Sequence, residues 1–351
     1  MDGGGFARRL RLLAVACLVS LLLAEVLVRA LGLAPPLGRQ YRNFMADPDL
    51  PFRIRPNSVE RGLAPSKEFR FEYRHNSQGL RDVEHAAGKP PGVFRIVAVG
   101  DSFTYGVGAA FDETYLAVME RQLNARTGAH PRVETVRAGV PRYYPETQRI
   151  WLERHGMAYQ PDLVLVGFLP NDVFDTLQGL DAIAVDPSGY LKTREARALP
   201  AWITWVFRFS HVGRLAVRTA LNLRHRGDAG PQWDEVYRSG GPYEPAWLNV
   251  EGELGRMAAL VRAAGAKLVV LHIPQLGPWD TTRAYPARRL AAWAEAQGDV
   301  GFIDALPALQ AAAAQSPTPL YFPLDGHCTS AGYRVIGDLL ATVLASRGEV
   351  P

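Results

Sequence analysis

Five residues of the 351-residue chain combine types and spacing that suit acyl-transfer chemistry. Ser102, Gly139 and Asn171 each stand at or just beyond the end of an apolar run, and Asp325 and His327 share a loop near the C-terminus. An acyl transfer needs a hydroxyl nucleophile, an imidazole base, a carboxylate that orients the base, and neutral donors for the oxyanion. The set therefore predicts an acyl-transfer site if the fold brings these residues together.

The elements that must position them are strand-like and helix-like segments that alternate from residue 93 onward. The predicted strands are residues 93–99, 133–138, 163–168, 267–273 and 300–303. The predicted helices between them include residues 113–126, 146–155, 251–264 and 286–297. Such alternation predicts an α/β fold with a parallel sheet covered by helices on both faces. Because ligands bind at the carboxyl ends of parallel strands, the five residues are expected at one edge of the sheet.

Each member of the set also has a plainer interpretation. Ser102 follows Gly100 in the stretch FRIVAVGDSFTYGVGA, where glycine permits the backbone to turn out of a strand. A hydroxyl in this position suits a helix cap as well as a nucleophile. Asn171 and Gly139 could likewise be turn residues, and His327 could cap the helix that follows it. The residue types alone leave these interpretations open.

Several other chemistries are excluded by the motifs that the chain lacks. The stretch GVGAAF at residues 106–111 imitates a dinucleotide-binding fingerprint, but Phe111 stands where the third glycine is needed. The nucleophile elbow GxSxG fails because Thr104 replaces its last glycine. There is no GxxxxGK phosphate loop, and the eight histidines show no metal-type clustering with carboxylates or thiols. We therefore predict neither a cofactor nor a metal ion.

Four blocks of the sequence resemble the SGNH hydrolases, also called the GDSL esterase and lipase family. The blocks are Gly100-Asp101-Ser102 followed by FTYG, Gly139, Gly167 with Asn171-Asp172, and Asp325 with His327. They occur in the family's order, and the resemblance covers residues 93–172 and 265–345. It implies a flavodoxin-like three-layer α/β/α fold and the activity of a serine esterase.

The resemblance also implies a role for each residue of the set. Ser102 is expected to be the nucleophile and His327 the base, with Asp325 orienting the imidazole. The oxyanion is expected to be bound by the backbone amides of Ser102 and Gly139 and by the side-chain amide of Asn171.

Two features depart from the pattern of many family members. Asp325 precedes His327 by two residues, where three are common, and this spacing looks like that of exopolysaccharide O-acetyltransferase relatives. Arg137 and Arg142 stand where relatives often carry Asn and Gly around the second block. The resemblance thus supports the base role of His327 more strongly than its orientation by Asp325, and the loop after the second strand is expected to differ in shape.

The N-terminal stretch RRLRLLAVACLVSLLLAEVLVRALGL sets three arginines before an apolar run over residues 12–24. The length of this run lies between that of a secretory signal core and that of a membrane-spanning helix. Either segment would export the rest of the chain and keep the arginines on the cytoplasmic side. We favour an uncleaved anchor over residues 1–34, because the cleavage pattern is poor and Arg29 can reach the far interface. The protein is then predicted in the cytoplasmic membrane with its remaining chain extracytoplasmic, or secreted if the segment is cleaved.

The remainder of the chain is predicted to form two further parts. Residues 35–92 are a connector whose EFRFEYR stretch alternates like a half-exposed strand, and residues 93–351 are the hydrolase domain. An insertion over about 174–248 interrupts the domain's alternation of strands and helices and predicts a helix pair. Three interpretations suit its aromatic residues: packing against the core, a lid over the site, or contact with a membrane surface. The residues concerned are Trp202, Trp205 and Phe209.

Composition narrows the class of protein but does not name a substrate. A hydrophobic content of 48% and a charged content of 21% are ordinary for a globular chain. The net charge is +4, and part of the basic excess adjoins the apolar N-terminal run, so we predict no nucleic-acid partner. Two cysteines, one of them inside that run, cannot form a disulfide framework.

Together these features predict a membrane-anchored, extracytoplasmic serine esterase acting on an acyl ester, with an O-acetylated envelope glycan as one candidate. An O-acyltransferase using the same site is the alternative, because it differs only in whether water or a sugar hydroxyl accepts the acyl group. A non-catalytic glycan-binding or scaffold protein is the alternative of another class. Protein partners are not predicted by any motif.

Overall fold

A computed structural model describes residues 3–34, 43–126, 131–185, 191–224, 233–277, 279–280 and 283–351. The chain divides into two compact units. The helical unit contains the described residues of 1–41 and 186–230, and the sheet unit contains those of 42–185 and 231–351. The divisions predicted at residues 1–34, 35–92, 93–351 and 174–248 stay a prediction, and residues 35–42, 186–190 and 225–232 lie outside the described residues.

The strands of the described residues are β1 (Phe44–Met45), β2 (Arg53–Ile54), β3 (Val59–Leu63), β4 (Arg70–Arg74), β5 (Val93–Gly100), β6 (Arg132–Gly139), β7 (Leu163–Phe168), β8 (Ile183–Val185), β9 (Leu191–Thr193), β10 (Lys267–His272) and β11 (Val300–Asp304). The α-helices are α1 (Gly3–Ala30), α2 (Ser102–Tyr105), α3 (Tyr115–Asn124), α4 (Pro145–Arg154), α5 (Asn171–Gln178), α6 (Arg194–Ala198), α7 (Ala201–Phe209), α8 (His211–Arg224), α9 (Glu244–Ala263), α10 (Tyr285–Gln297), α11 (Leu306–Gln315) and α12 (Ser330–Ser346). Short 3-10 helices cover Phe111–Glu113, Gly156–Tyr159 and Trp233–Tyr237.

The central sheet of the sheet unit has the strand order β6-β5-β7-β10-β11 across its described residues, and every pair is parallel. Counted along the chain, these strands lie in the order 2-1-3-4-5, which is the arrangement of flavodoxin-like folds. The order reverses between β5 and β7, so their carboxyl ends form the crevice where such folds bind ligands. The predicted α/β fold with a parallel sheet is therefore confirmed.

Helices cover both faces of the sheet because its strands are apolar on both sides. All six residues of β7 are buried, and successive side chains point to opposite faces. Leu163 and Leu165 join a core that includes side chains of α3, α11 and α12. Phe168 contacts the ring of Trp247 in α9, with the ring centroids 5.8 Å apart. The described helices thus cover both faces of the sheet.

The predicted core elements agree closely with the observed ones. Strand β7 has the predicted bounds, and the other four strands of the sheet begin and end within one residue of theirs. Helices α3, α4 and α10 agree within two residues. Helix α9 begins at Glu244, earlier than residue 251, because Pro245 stands in its first turn, where the missing N–H of proline costs no hydrogen bond.

The segment that precedes the sheet forms a β-hairpin in the sheet unit. Strands β3 and β4 pair antiparallel, with Val59 opposite Arg74. The buried Tyr73 of β4 accepts a hydrogen bond at its hydroxyl from the backbone N–H of Gly108, at 3.0 Å. This hairpin therefore packs on the turn that follows α2, close to the carboxyl end of β5.

The helical unit consists mainly of α1 and of the pair α7 and α8. The span Arg8–Ala30 of α1 is the one described helix that is long and apolar enough to cross a membrane, and of its described side chains only Val28 is buried. A signal sequence near an N-terminus has the same length and composition. The buried Arg214 of α8 donates hydrogen bonds to the carbonyls of Phe207 and Arg208, at 3.0 and 3.3 Å, which closes the α7–α8 corner.

Candidate active site

Ser102 is the first residue of α2, directly beyond the carboxyl end of β5. Asp101 caps this short helix, because its carboxylate accepts a hydrogen bond from the N–H of Phe103 at 2.9 Å. Gly106 ends the helix at φ +85°, a left-handed conformation that glycine adopts without strain. The capping role is therefore filled by Asp101, and the hydroxyl of Ser102 is left available for another partner.

That partner is His327, whose Nε2 lies 2.8 Å from the Oγ of Ser102. On the other side of the ring, Nδ1 lies 2.5 Å from Oδ1 of Asp325. The two-residue spacing does not prevent this contact, because Gly326 at φ +86° folds the chain back between the two residues. Phe103 packs beside the imidazole with ring centroids 4.9 Å apart. Hydroxyl, imidazole and carboxylate thus form one continuous hydrogen-bonded chain.

Asn171 begins α5, just past the carboxyl end of β7, and its side chain is held from two directions. Its Nδ2 donates to Oδ2 of Asp101 at 3.2 Å, and its Oδ1 accepts from Nε2 of Gln275 at 3.4 Å. Gln275 in turn accepts a hydrogen bond from the hydroxyl of Tyr237 at 3.0 Å. The amide of Asn171 is therefore fixed in orientation beside the capping residue of α2.

Gly139 ends β6 directly opposite Gly100 in the sheet register. It is buried beneath α2, where a Cβ would collide with the backbone of Thr104 and Tyr105. Its need for glycine is thus explained by the close approach of α2 to the sheet. Its predicted role as an oxyanion donor stays a prediction, since the pocket described next is not lined by Gly139.

The remaining residues of the set line one pocket of about 420 Å³. Its wall comprises Asp101, Ser102, Phe103, Asn171, Gln275, Leu276, Pro323, Leu324, Asp325, Gly326 and His327. Leu324 is 78% exposed at the rim. The sheet edge therefore brings together four of the five predicted residues in a cleft that a small acyl ester can enter.

Residues before the sheet support this site, and the sequence analysis did not predict them. The carboxylate of Glu68 accepts hydrogen bonds from the backbone N–H groups of Leu324, at 3.1 and 3.2 Å, and of Asp325, at 2.7 Å. The Glu68 side chain thereby holds the loop that carries Asp325 and His327. Its only sequence signal is a charged position in the alternating stretch EFRFEYR, which marks a strand and not a function.

Arg81 holds α2 from the end opposite Ser102. Its guanidinium is buried and donates to the carbonyls of Tyr105, at 3.0 Å, of Gly106, at 2.6 Å, and of Ala109, at 2.7 Å. Because the last carbonyls of a helix lack intrahelical partners, these bonds satisfy the C-terminal end of α2. The helix that presents Ser102 is therefore fixed at both ends.

Burial dominates the electrostatics of the acidic residues beneath the site. Burial raises the pKa of Asp101, although the N–H of Phe103 and the amide of Asn171 oppose the shift. Burial likewise raises the pKa of Asp172 well above its usual value, and the charge of Asp101 adds to this rise. A second negative charge next to Asp101 is thus disfavoured.

Of the two arginines that depart from the family's second block, Arg137 forms ion pairs, and Arg142 has an uncommon backbone conformation. The Arg137 side chain contacts the carboxylates of Asp82 and Glu120, at 2.5 and 2.8 Å. Arg142 adopts φ +72°, an uncommon backbone conformation for a residue other than glycine. The expected difference in loop shape from relatives stays a prediction. Among the described residues no group of three or more His, Cys, Asp or Glu side chains could hold a metal ion.

No curated protein sequence matches the chain significantly. One similar solved structure is an alpha/beta hydrolase enzyme from the metagenome of Lake Arreo, Spain, at 18% identity, covering 73% of this chain and 95% of that one, with a TM-score of 0.43. Another is a catalytic mutant of Axe2, an acetylxylan esterase from Geobacillus stearothermophilus, at 15% identity, 73% and 94% coverage and a TM-score of 0.44.

The family model described as GDSL-like Lipase/Acylhydrolase matches residues 98–335, which is more than half of the chain. The matched range begins in β5 and ends in α12, so it includes Ser102, Asn171, Asp325 and His327. The resemblance inferred from the four sequence blocks is thereby confirmed. The chain belongs to the GDSL-like lipase/acylhydrolase family, the SGNH hydrolases, and is an esterase-type hydrolase.

Proposed function

We propose that this protein is an extracytoplasmic esterase in which Ser102, His327 and Asp325 act as nucleophile, base and orienting carboxylate. The observation that carries the proposal is the continuous contact from Ser102 Oγ to His327 Nε2, at 2.8 Å, and from His327 Nδ1 to Asp325, at 2.5 Å. A serine hydroxyl is a weak nucleophile until a base within hydrogen-bond reach takes its proton.

In the first half-reaction, the Oγ of Ser102 attacks the ester carbonyl while Nε2 of His327 accepts the hydroxyl proton. Asp325 accepts the Nδ1–H bond, which leaves Nε2 free as the acceptor and stabilises the imidazolium that forms. The tetrahedral intermediate then collapses, and the imidazolium donates its proton to the departing alcohol oxygen. An acyl-enzyme at Ser102 and a free alcohol result.

In the second half-reaction, water gives a proton to Nε2 of His327 and attacks the acyl carbon. Collapse of the second tetrahedral intermediate returns the proton to Oγ of Ser102 and releases the carboxylic acid. The same acyl-enzyme would react with a sugar hydroxyl in an acyltransferase, so the acceptor distinguishes the two activities.

The oxyanion of both intermediates needs donors on the side of the pocket facing away from His327. The backbone N–H of Ser102 and the side-chain amide of Asn171 are our assigned donors, with the N–H of Gly139 as the third. The contacts of Asn171 with Asp101 and Gln275 support this assignment, because they restrict the amide before substrate binds. Preorganised donors of this kind stabilise developing charge without reorganisation.

The substrate class we propose is a small acyl ester on a polar scaffold, with an O-acetylated envelope glycan as the leading candidate. The pocket of about 420 Å³ combines polar groups with Leu276 and Leu324, which are partly exposed. An acyl group as short as acetyl can lie beside these leucines while the glycan stays in solvent.

The experiment that tests the nucleophile combines hydrolysis of p-nitrophenyl acetate with labelling by a fluorophosphonate. Wild-type protein is expected to release nitrophenol and to gain one adduct, located at Ser102 by peptide mass spectrometry. The Ser102→Ala variant should lose both signals, whereas Ser77→Ala, on the preceding segment, should keep both. Labelling that persists in Ser102→Ala would contradict the assignment. Addition of glycan acceptors then reports whether acyl-sugar forms in place of acetate.

The location is tested by a reporter fused after Pro351. Arg8, Arg9 and Arg11 lie at the N-terminal end of the apolar span Arg8–Ala30, so the positive-inside rule predicts the C-terminus on the far side of the membrane. If the C-terminus is extracytoplasmic, a fused alkaline phosphatase should be active. A fused green fluorescent protein should not fluoresce, because it does not fold after export by the general secretion route. The reverse pattern would place the esterase in the cytoplasm.

A further inference from the structure

Helix α7 in the helical unit carries an aromatic face that the described residues of this unit leave exposed. Trp202, Trp205 and Phe209 are 68%, 62% and 54% exposed. Their spacing of three and four residues puts them on one side of the helix, and no residue of α7 is buried. An exposed face of three large aromatic side chains marks a contact surface.

The corner between α7 and α8 is fastened to the apolar helix α1 through Glu25. The Glu25 carboxylate accepts hydrogen bonds from the hydroxyl of Ser210, at 2.9 Å, and from the backbone N–H groups of His211 and Val212, at 2.7 and 3.0 Å. These N–H groups lie in the first turn of α8, where backbone donors have no acceptor within the helix and the helix dipole is positive. Arg29 contacts Glu25 at 2.8 Å and donates to a carbonyl of the same corner.

The position of Glu25 along α1 sets the depth of this corner in a bilayer. Glu25 comes 14 residues after Arg11, the last of the three leading arginines. At about 1.5 Å per residue this separation is about 21 Å, which is shorter than the roughly 30 Å of a hydrocarbon core. With Arg11 at one interface, Glu25 therefore lies about 9 Å inside the opposite boundary of the hydrocarbon core, a depth that the apolar face of an interfacial helix reaches. An unpaired carboxylate is costly at this depth, and the N-terminus of α8 and the Arg29 side chain supply its partners.

The charge of the pair α7 and α8 suits an anionic lipid surface. Residues 201–224 contain four arginines and no aspartate or glutamate. A helix pair with aromatic residues on one face and only basic charges has the composition of an interfacial membrane element. Tryptophan is also the side chain most enriched at the level of lipid headgroups.

We propose that α7 and α8 lie on the outer surface of the membrane that α1 crosses, with Trp202, Trp205 and Phe209 inserted among anionic phospholipids. The inference rests on the proposed membrane anchoring of the esterase. It adds that α1 remains part of the mature chain, because cleavage after α1 would remove Glu25 from the terminus of α8. The two helices and α1 then act as one membrane-embedded unit.

The test uses the full-length protein in nanodiscs of phosphatidylglycerol and phosphatidylcholine that carry bromine on the acyl chain near the headgroup. Bromine quenches tryptophan emission only at contact distance, and the chain has seven tryptophans. The variant Trp202→Phe/Trp205→Phe is expected to lose most of the lipid-dependent quenching of wild type. The control Trp293→Phe, in α10 of the sheet unit, should keep it. Equal quenching in wild type and the double variant would overturn the proposal.

A second arm tests the fastening at Glu25. Glu25→Leu removes the acceptor but keeps α1 apolar, so the variant should stay in the membrane after a carbonate wash. Limited proteolysis between α7 and α8 should become at least tenfold faster in Glu25→Leu than in wild type. Glu25→Gln keeps one acceptor oxygen, so its proteolysis rate should lie between those of wild type and Glu25→Leu. Unchanged proteolysis in Glu25→Leu would overturn the fastening.

Hydrolysis of a soluble ester separates this inference from the proposed function. The tryptophan double variant should hydrolyse p-nitrophenyl acetate at the wild-type rate, since its aromatic face contacts lipid and not substrate. A several-fold change in kcat/KM together with absent quenching would assign the face to substrate and overturn the membrane contact. Absence of Ser102-dependent hydrolysis in wild type would instead refute the esterase mechanism, whatever the quenching shows.

Discussion

The carboxylate of Glu68 accepts a hydrogen bond from the backbone N–H of Asp325 at 2.7 Å, across 257 residues of sequence. Glu68 lies between β3 and β4, outside the residues that the family model matches. The acidic residue of the proposed triad is therefore positioned by a part of the chain that is not in the recognised family core. Glu68 touches no reacting atom, so it is a positioning residue.

We expect Glu68→Ala to lower kcat for a soluble ester by about tenfold, because a loop displaced by a fraction of an ångström misaligns the base. Glu68→Gln keeps an acceptor oxygen and should recover most of the rate. The control Glu72→Ala removes an exposed carboxylate from β4 of the same hairpin and should leave kcat unchanged. If Glu68 were needed only for folding, Glu68→Ala would lower the folded fraction, but kcat per titrated active site would stay normal. That outcome would contradict the positioning role.

His327 and Ser102 are expected to behave as one unit in catalysis. Ser102→Ala, His327→Ala and the double variant should each lower kcat by about 10³-fold or more, to nearly the same residual rate. The reason is that the hydroxyl cannot react without the base, and the base has no function without the hydroxyl. Steady-state hydrolysis of p-nitrophenyl acetate measures the three rates. Multiplicative losses in the double variant would show that the two residues act independently.

The core and most of the candidate site follow from local sequence patterns. The runs that became β5, β7 and β10 are short, apolar and rich in branched side chains, and such patterns depend on neighbours in sequence. Ser102 and Asn171 were placed at one sheet edge because parallel strands share their carboxyl ends. Local information was therefore sufficient for the positions of these residues.

The supporting contacts could not be predicted in this way because they join distant parts of the chain. The contacts of Glu68 with Asp325 and of Arg81 with Tyr105 exist only after the β3–β4 hairpin has docked on the sheet unit. The start of α9 was missed because its first turn contains proline in a glycine-rich context, which is typical of a loop. Gly139 was assigned a chemical role, and its tight packing against α2 appears only in three dimensions.

Loss of the Asn171 side chain should lower kcat more than loss of the hydrogen bond that Gln275 donates to it. Asn171→Ala is expected to lower kcat by about 10²- to 10³-fold, because one oxyanion donor is lost while Ser102 still forms the acyl-enzyme. Gln275→Leu, which removes the hydrogen bond to Oδ1 of Asn171, should cost a smaller factor of about ten.

Tyr237→Phe is a milder variant at the same contact, because it deletes only the hydroxyl that donates to the Gln275 side chain. It should reproduce a part of the Gln275→Leu effect on kcat with little change in KM. Stopped-flow measurement of the nitrophenol burst separates acylation from deacylation in each variant. A burst rate in Asn171→Ala equal to that of wild type would contradict the assignment of Asn171 as an oxyanion donor.

His75 predicts a specific dependence of stability on pH. Its Nδ1 contacts Ser58, at 2.8 Å to the hydroxyl and 3.1 Å to the carbonyl, and its Nε2 lies 2.8 Å from the hydroxyl of Tyr105, the last residue of α2. Burial lowers the pKa of His75 to about 4, and the charge of Arg81 adds to this effect. The folded state therefore holds this imidazole neutral.

The sign of the effect follows from the two protonation equilibria. In the unfolded chain His75 regains a pKa near 6.5, so between pH 6.5 and pH 4 the unfolded state binds a proton that the folded state does not. Stability from this residue is complete above pH 6.5 and is lost as the pH falls towards 4, by about 3 kcal/mol in total. His75→Gln, which keeps a hydrogen-bonding group but does not titrate, should show a flatter decline in melting temperature over this interval. The exposed His155→Gln should follow the wild-type curve, and a decline in His75→Gln parallel to wild type would show that another group controls the acid sensitivity.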